Sequence, residues 1–380
     1  MRLNKKRAAV IILLLLLIIS LLQRNTLINQ YKKIQYHFAY ADLDEITIEL
    51  SDSLYGQLIA EKDSVLKIIL EDNLCWGIDE KKQYKAKFIK DHFRYKSKVK
   101  LAGHYSDHLR RSPFSIRIKI KNGNYKGMSH FTLLNPITRF LHVDIFANYL
   151  CADFKIKTLK TYPIKGCVNG DNHLYLFEEG FSSKSLNNDS IGWIIEEKVS
   201  PEFGFKARKS NKEIIRYCDS LNNLSTLYPH VNLEKFAYFF ALSDLFQSTH
   251  QNLDINRHYI LNASSNKLEP IGREFWFASE NYITLFIDQV MADTENEFGR
   301  IAHELFKDEY FINLYYASLN RISEKDFVTN IYNENNKEIN KINILYWQKY
   351  AWFDSGLNEN SLKKNQELIM KLLSKERVSI

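Results

Sequence analysis

The sequence predicts an α+β protein: a mixed sheet first, a mainly helical second half after it, and an N-terminal transmembrane helix ahead of both. Three observations carry this. Runs such as "ITIEL" (46–50) and "FSIRIKIK" (114–121) alternate apolar and polar residues, the period of a strand. Residues 280–375 space their apolar positions as helices do. The chain opens with Arg2, Lys5, Lys6 and Arg7, then runs apolar from Ala8 to Leu22, interrupted only by Ser20.

That opening reads as an uncleaved signal anchor over residues 1–24. A basic stretch before an apolar run also marks a secretory signal. However, Leu21, Leu22, Gln23 and Arg24 are too bulky for a small-x-small cleavage site. By the positive-inside rule the basic end stays in the cytoplasm, so the bulk of the chain lies outside it.

Residues 25–45 read as a polar, aromatic-flecked connector, and residues 46–186 as a sheet-containing lobe. After the first strand, Ser51, Asp52 or Ser53 caps a helix whose stripe is Leu54, Leu58, Val65, Leu66 and Ile69. "YKAKFI" (84–89) and "YKSKVKL" (95–101) read as paired strands. In 114–121, Phe114, Ile116, Ile118 and Ile120 face one way, and Ser115, Arg117, Lys119 and Lys121 the other. Its basic face is either a solvated sheet surface or a row of cations for phosphate or carboxylate. Asn135 and Pro136 suit the N-cap and first position of a helix continuing through Val143, Ala147 and Leu150. Two strands flank an Asn169-Gly170 turn.

Residues 187–231 are polar and read as an irregular region between lobes, and 232–380 as a mainly helical lobe. The stretch 232–246 is apolar on most sides, the mark of a central buried helix.

Composition narrows the partners. With 380 residues the chain exceeds one small core, and 45% hydrophobic with 26% charged residues excludes wholesale disorder. A net charge of +7 suits phosphorylated ligands, acidic glycans or a membrane surface, and equally a mildly basic soluble domain. No basic stripe interleaved with aromatics marks a nucleic-acid site. Cys75, Cys151, Cys167 and Cys218 form no C-x-x-C, so zinc-ribbon and thioredoxin chemistry are unsupported. Neither G-x-G-x-x-G nor G-x-x-x-x-G-K-[ST] occurs, which removes the ordinary kinase and P-loop readings.

Six stretches in order resemble the CotH family, spore-coat-type proteins with an atypical kinase-like fold. They are "VKLAGHYSDHL" (99–109), "SPFSIRIKIK" (112–121), "GMSHFTLLNPITR" (127–139), "VNGDNHLYLFEEGF" (168–181), "NRHYILNASSNKLEPIGRE" (256–274) and "LFKDEYFINLYYASLNRIS" (305–323). The resemblance spans about residues 46–325 and is closest to a membrane-associated bacterial branch. It implies a two-lobed kinase-like fold holding ATP and a divalent metal, Mg²⁺, in the cleft.

On that resemblance, Arg117 and Lys119 bind the nucleotide phosphates, with Glu178 or Glu179 pairing such a cation. Asn256 and Glu274 take the metal positions, while His250 and Asp254 flank the position of a catalytic acid. The family pattern is not matched throughout: a Pro-Trp-Asp-x-Asp-like segment reads "PIGREF" here, and histidine is a poor Mg²⁺ ligand. Asp107 and His108 sit in a loop either touching substrate or merely turning the chain.

Two functions follow. One is a membrane-anchored phosphotransferase that uses ATP and Mg²⁺ on a protein or glycan acceptor. The other is a non-catalytic envelope scaffold or ligand-binding protein linked to surface polysaccharide. The second avoids the scarcity of ATP outside the cytoplasm. A weaker third pairs Asp254 with Glu274 as acid and base on an envelope glycan.

Overall fold

A computed structural model describes residues 24, 26–72, 81–181, 192–198, 204–207, 212–253, 256–278, 284–353 and 355–376. The apolar run Ala8–Leu22 and Asp254 lie outside these residues. Among the described residues no helix is long and apolar enough to cross a membrane.

The α+β expectation holds, with the sheet region first and helices after it. The stretch 25–45 is not simply a connector: residues 26–41 form helix α1. Its Tyr36, Ala39 and Tyr40 pack into a core with barrel and C-terminal residues, so tertiary burial supports a helix that polarity alone obscured.

Strands β1 (Glu45–Glu49), β2 (Tyr84–Lys90), β3 (Phe93–Leu101), β4 (Ile116–Ile120), β5 (His130–Leu134), β7 (Thr161–Val168) and β8 (Asp171–Glu179) close into a barrel ordered β1-β2-β3-β4-β5-β8-β7. Closure comes from β1 running parallel to β7, Ile46 opposite Gly166. The other neighbours are antiparallel. Alternation fills the interior with Ile48, Phe88, Val99, Ile116, Ile118, Phe131, Leu133 and Phe177. The β7–β8 hairpin turns at Asn169 (φ 48°) and Gly170 (φ 92°), both left-handed as a tight type I′ turn requires.

Helix α2 (Asp52–Asp72) lies against this barrel, burying Leu58, Val65 and Ile69 as the stripe predicted. Ser51 Oγ accepts from Leu54 N–H at 3.4 Å. The single helix expected from Asn135 is broken in two. Asn135 caps a short 3₁₀ turn, Pro136–Arg139, accepting from Ile137 N–H at 3.2 Å. Phe140 and Leu141 then turn left-handed (φ 48° and 63°) before α3 (Val143–Asp153) begins.

Residues 187–231 are more regular than their polarity suggested. They hold β9 (Gly192–Lys198), β10 (Gly204–Ala207) and α4 (Lys212–Asn222). With β6 (Lys157–Thr158), β11 (His258–Asn262) and β12 (Lys267–Gly272) they form a second sheet, β10-β9-β11-β12-β6. Pairing with β11 makes β9 a strand although its "WIIEEK" pattern is half charged.

Helix α5 (Leu233–Phe246), capped by Asn232, runs through the main core, all its residues from Phe236 to Phe246 buried. After it come α6 (Phe286–Ala292), α7 (Gly299–Leu305), α8 (Glu309–Ile322), α9 (Phe327–Glu334), α10 (Asn336–Tyr350) and α11 (Glu359–Glu376), of which α10 packs mainly on the barrel and α1. Buried Asp244 on α5 accepts from Phe286 N–H at 2.7 Å and from Tyr315 Oη at 2.6 Å, tying α5 to α6 and α8. Cys151, Cys167 and Cys218 are free thiols, Cys151 fully buried as its apolar setting predicted.

Candidate functional site

A cleft of about 640 Å³ separates the outer wall of the barrel from the second sheet. Arg117, Lys119, Glu178, Glu179, His250, Asn256 and Glu274 all line it. Residues separated by up to 157 positions in sequence are therefore brought together. Asp107 and His108 line it too.

The barrel wall is built by register. Ile116, Ile118 and Ile120 point inward, so Arg117 and Lys119 must point out. Antiparallel pairing sets Lys98 opposite Lys119, and Lys119 opposite His130. The next row sets Lys100 opposite Arg117, Arg117 opposite Thr132, and Thr132 opposite Glu178. Like charges directly opposite in a sheet are destabilising. This wall thus concentrates cations, with Glu178 favouring the charge of Arg117 and Gln83 accepting from Lys98.

Beneath it lies a buried ion network centred on Arg139. Its Nη2 donates to Glu274 Oε1 at 2.6 Å and to Glu178 Oε2 at 3.3 Å, and its Nε lies 3.2 Å from Asp144 Oδ2. Arg273 also donates to Glu274 Oε1 and lies 3.9 Å from Glu178 Oε1. Burial alone disfavours the charge on Arg139. Glu274, Glu178 and Asp144 together outweigh it and raise its pKa above the ordinary value. Burial likewise pushes the Glu274 carboxyl up, but Arg139, Arg273 and His250 hold it well below the carboxylate range. Asp144, with burial outweighing the attraction of Arg139, is raised to about 7.

Glu274 has φ 58°, a left-handed conformation that an L side chain adopts at a cost. His250 lies flat on Trp276, ring centroids 3.7 Å apart, with Nε2 3.7 Å from Glu274 Oε2. Across the cleft Arg273 covers the Phe181 ring at 4.8 Å, and Phe181 stacks on His258 at 4.5 Å.

In the loop before β4, His108 is buried while Asp107 beside it is exposed. His108 Nδ1 lies 3.0 Å from Ser115 Oγ, which accepts from Asn135 N–H at 2.9 Å. Burial, then Arg139, push the His108 pKa down to about 3, so it is neutral at physiological pH.

Asn256 and Glu274, expected to hold the metal, both have protein partners in the cleft. Mg²⁺ requires hard oxygen ligands with free lone pairs. Glu274 is the counterion of two guanidiniums, so a cation arriving there meets Arg139 and Arg273. The Asn256 amide N–H donates to the His250 carbonyl at 2.9 Å, anchoring the turn. Among the described residues no three His, Cys, Asp or Glu side chains gather as a metal site.

The two glutamates offered as the cation's partner differ in their contacts. Glu178 meets the arginines, whereas Glu179 accepts from Lys160 N–H at 3.1 Å. Glu179 is 2% exposed, and its Oε1 lacks a hydrogen-bond partner among the described residues. His250, expected near a catalytic acid, stacks on an aromatic ring, and its partner Asp254 lies outside the described residues. Sequence reasoning missed Arg139, Asp144 and Trp276. The available signal was a lone arginine and a lone aspartate inside the apolar run "ITRFLHVDIFANYLC" (137–151), where a charge must be paired.

The fold and site together define an α+β protein with a closed barrel, a second sheet, a mainly helical C-terminal part, and a cleft between barrel and second sheet lined by cations and acids together. Comparison with known proteins yields no matching family model and no matching characterised protein.

Proposed function

We propose that the protein is a membrane-anchored, CotH-like ligand-binding protein of the cell envelope, with a kinase-like architecture, whose cleft holds an anionic ligand without transferring phosphate. One observation carries this reading: Lys98, Lys100, Arg117 and Lys119 stand directly opposite one another on the cleft wall. A bound phosphate or carboxylate offsets that repulsion, and partly desolvated cations bind anions more tightly than exposed ones. The acidic groups that phosphoryl transfer needs for its metal are spent as counterions to Arg139 and Arg273. Buried Glu179 Oε1 leaves an acceptor for a ligand hydroxyl, which favours an acidic sugar over a bare anion.

A second reading, a phosphotransferase taking ATP at Arg117 and Lys119, is favoured by the convergence of those residues with His250 in one cleft.

Calorimetric titration of the full chain in detergent separates the two. The probes are ATP, ATP with Mg²⁺, and a uronic-acid oligosaccharide. The binding reading expects oligosaccharide affinity that Arg117→Gln weakens about tenfold, with no gain from Mg²⁺. ATP affinity that rises with Mg²⁺, together with phosphate release, would overturn it.

A further inference from the structure

We infer that α1 lies along an anionic lipid surface, its outer face seated among the headgroups and acyl chains. The helix has two opposed apolar faces. The inner one, Tyr36, Ala39 and Tyr40, joins Leu174 and Leu176 of the barrel and Ile342, Leu345, Tyr346 and Tyr350 of α10 in one core. The outer one carries Leu27, Tyr31, Ile34 and Phe38, exposed by 64%, 62%, 54% and 74%. Spaced four, three and four residues apart, they form one stripe. Helical geometry turns this stripe about half a revolution from Tyr36, and among the described residues none covers it.

Charge selects the occupant. From Arg24 to Ala41 the sequence has Arg24, Lys32, Lys33 and His37 and no acidic residue. A parallel pair of such helices from two copies would bring like charges together without the acidic e and g partners that coiled coils use. An anionic leaflet instead attracts Arg24 and Lys33, roughly 1 kcal/mol each near the surface, while the stripe enters the interface and Lys32 stays on the inner side over Trp347. The sequence before the helix, Ala8–Leu22, is itself apolar, so the stripe stands beside a segment compatible with lipid.

The contacts on the inner side make this more than a tether. Lys32 covers the Trp347 ring at 4.7 Å, Asp42 pairs with Lys341, and Lys165 Nζ donates to the Ala41 carbonyl at 3.2 Å. Because α1 is clamped to both barrel and α10, a membrane bound to its outer face fixes the orientation of the cleft above the surface. This assignment stands on α1 itself and does not depend on what the cleft binds.

The test uses the full chain reconstituted in nanodiscs with a photoactivatable diazirine lipid. Bilayers are phosphatidylcholine alone or with added phosphatidylglycerol, and crosslinks are mapped by mass spectrometry. Crosslinks at Leu27, Tyr31, Ile34 and Phe38, several-fold more frequent with phosphatidylglycerol, are expected. The Ile34→Ser/Phe38→Ser variant should lose them while keeping its urea midpoint and any crosslinks before Arg24. Lipid crosslinks absent from 27–38, or chain-to-chain crosslinks between two α1 helices in their place, overturn the assignment.

Discussion

Arg139 Nη2 and Glu274 Oε1 meet at 2.6 Å although 135 positions separate them in sequence. The contact joins the turn that follows β5 to the segment that follows β12, so the barrel lobe and the second sheet share one buried ion network. Glu274 holds a left-handed backbone to make it. The same carboxylate that a metal site would require is thereby committed to cations.

Arg139→Met should lower stability by about 3–5 kcal/mol, because Glu178, Glu274 and Asp144 would lose their central partner while buried. Urea unfolding measures it. Combined with Glu274→Gln, the loss should be well below the sum of the single losses, since both changes disrupt one network. Additive losses would show that the pair is not coupled.

Lys119→Glu should raise the stability of the ligand-free protein by about 0.2–1 kcal/mol, replacing the opposition with Lys98 by an attraction. The same change should abolish anion binding. A variant that is both destabilised and still able to bind would show that the cation wall is merely solvated surface.

Gly103→Ala should be destabilising. Gly103 has φ 85°, and an added Cβ would stand 2.0 Å from the buried His108 ring. His108 would have to leave its contact with Ser115, which in turn supports Asn135. A loss of about 2–4 kcal/mol in urea is expected, from overpacking together with an unfavourable backbone. An unchanged midpoint would mean that the loop relocates freely.

The pH dependence has two arms. Lys81 is lowered to about 7 by burial, then by Arg117 and Lys100. Its folded pKa lies below its unfolded value, so the unfolded chain binds more protons between pH 7 and about 10.4. Stability should therefore rise with pH there, by up to about 1.4 kcal/mol per unit. Lys81→Met should flatten the rise, and an unaltered slope would rule Lys81 out as its source. Glu274 acts oppositely: its depressed carboxyl contributes stability above the unfolded pKa, near 4.3, and loses it as pH falls through the folded value. The advantage of wild type over Glu274→Gln should accordingly shrink on acidification below about pH 4.

Local pattern determined much of this protein. Alternation in 114–121 stated that Arg117 and Lys119 share a face opposite the isoleucines, because successive strand side chains must point apart. Asn169-Gly170 stated a tight hairpin, because both residues tolerate left-handed backbone. The all-round apolar run 232–246 stated a central helix, because such a segment cannot face water. The sequence also singled out nine of the residues that line the cleft, among them Arg117, Lys119, Glu178 and Glu274.

Tertiary structure decided what those faces meet. Whether β1 would close a barrel against β7 depended on a partner more than a hundred residues away, and no periodicity carries that information. Strand character at 192–198 came from pairing with β11 rather than from propensity, and α1 from burial against α10. Glu274 had the right charge for a metal in sequence. Only the fold placed Arg139 and Arg273 against it, and a charge's role is set by the charges it meets in space.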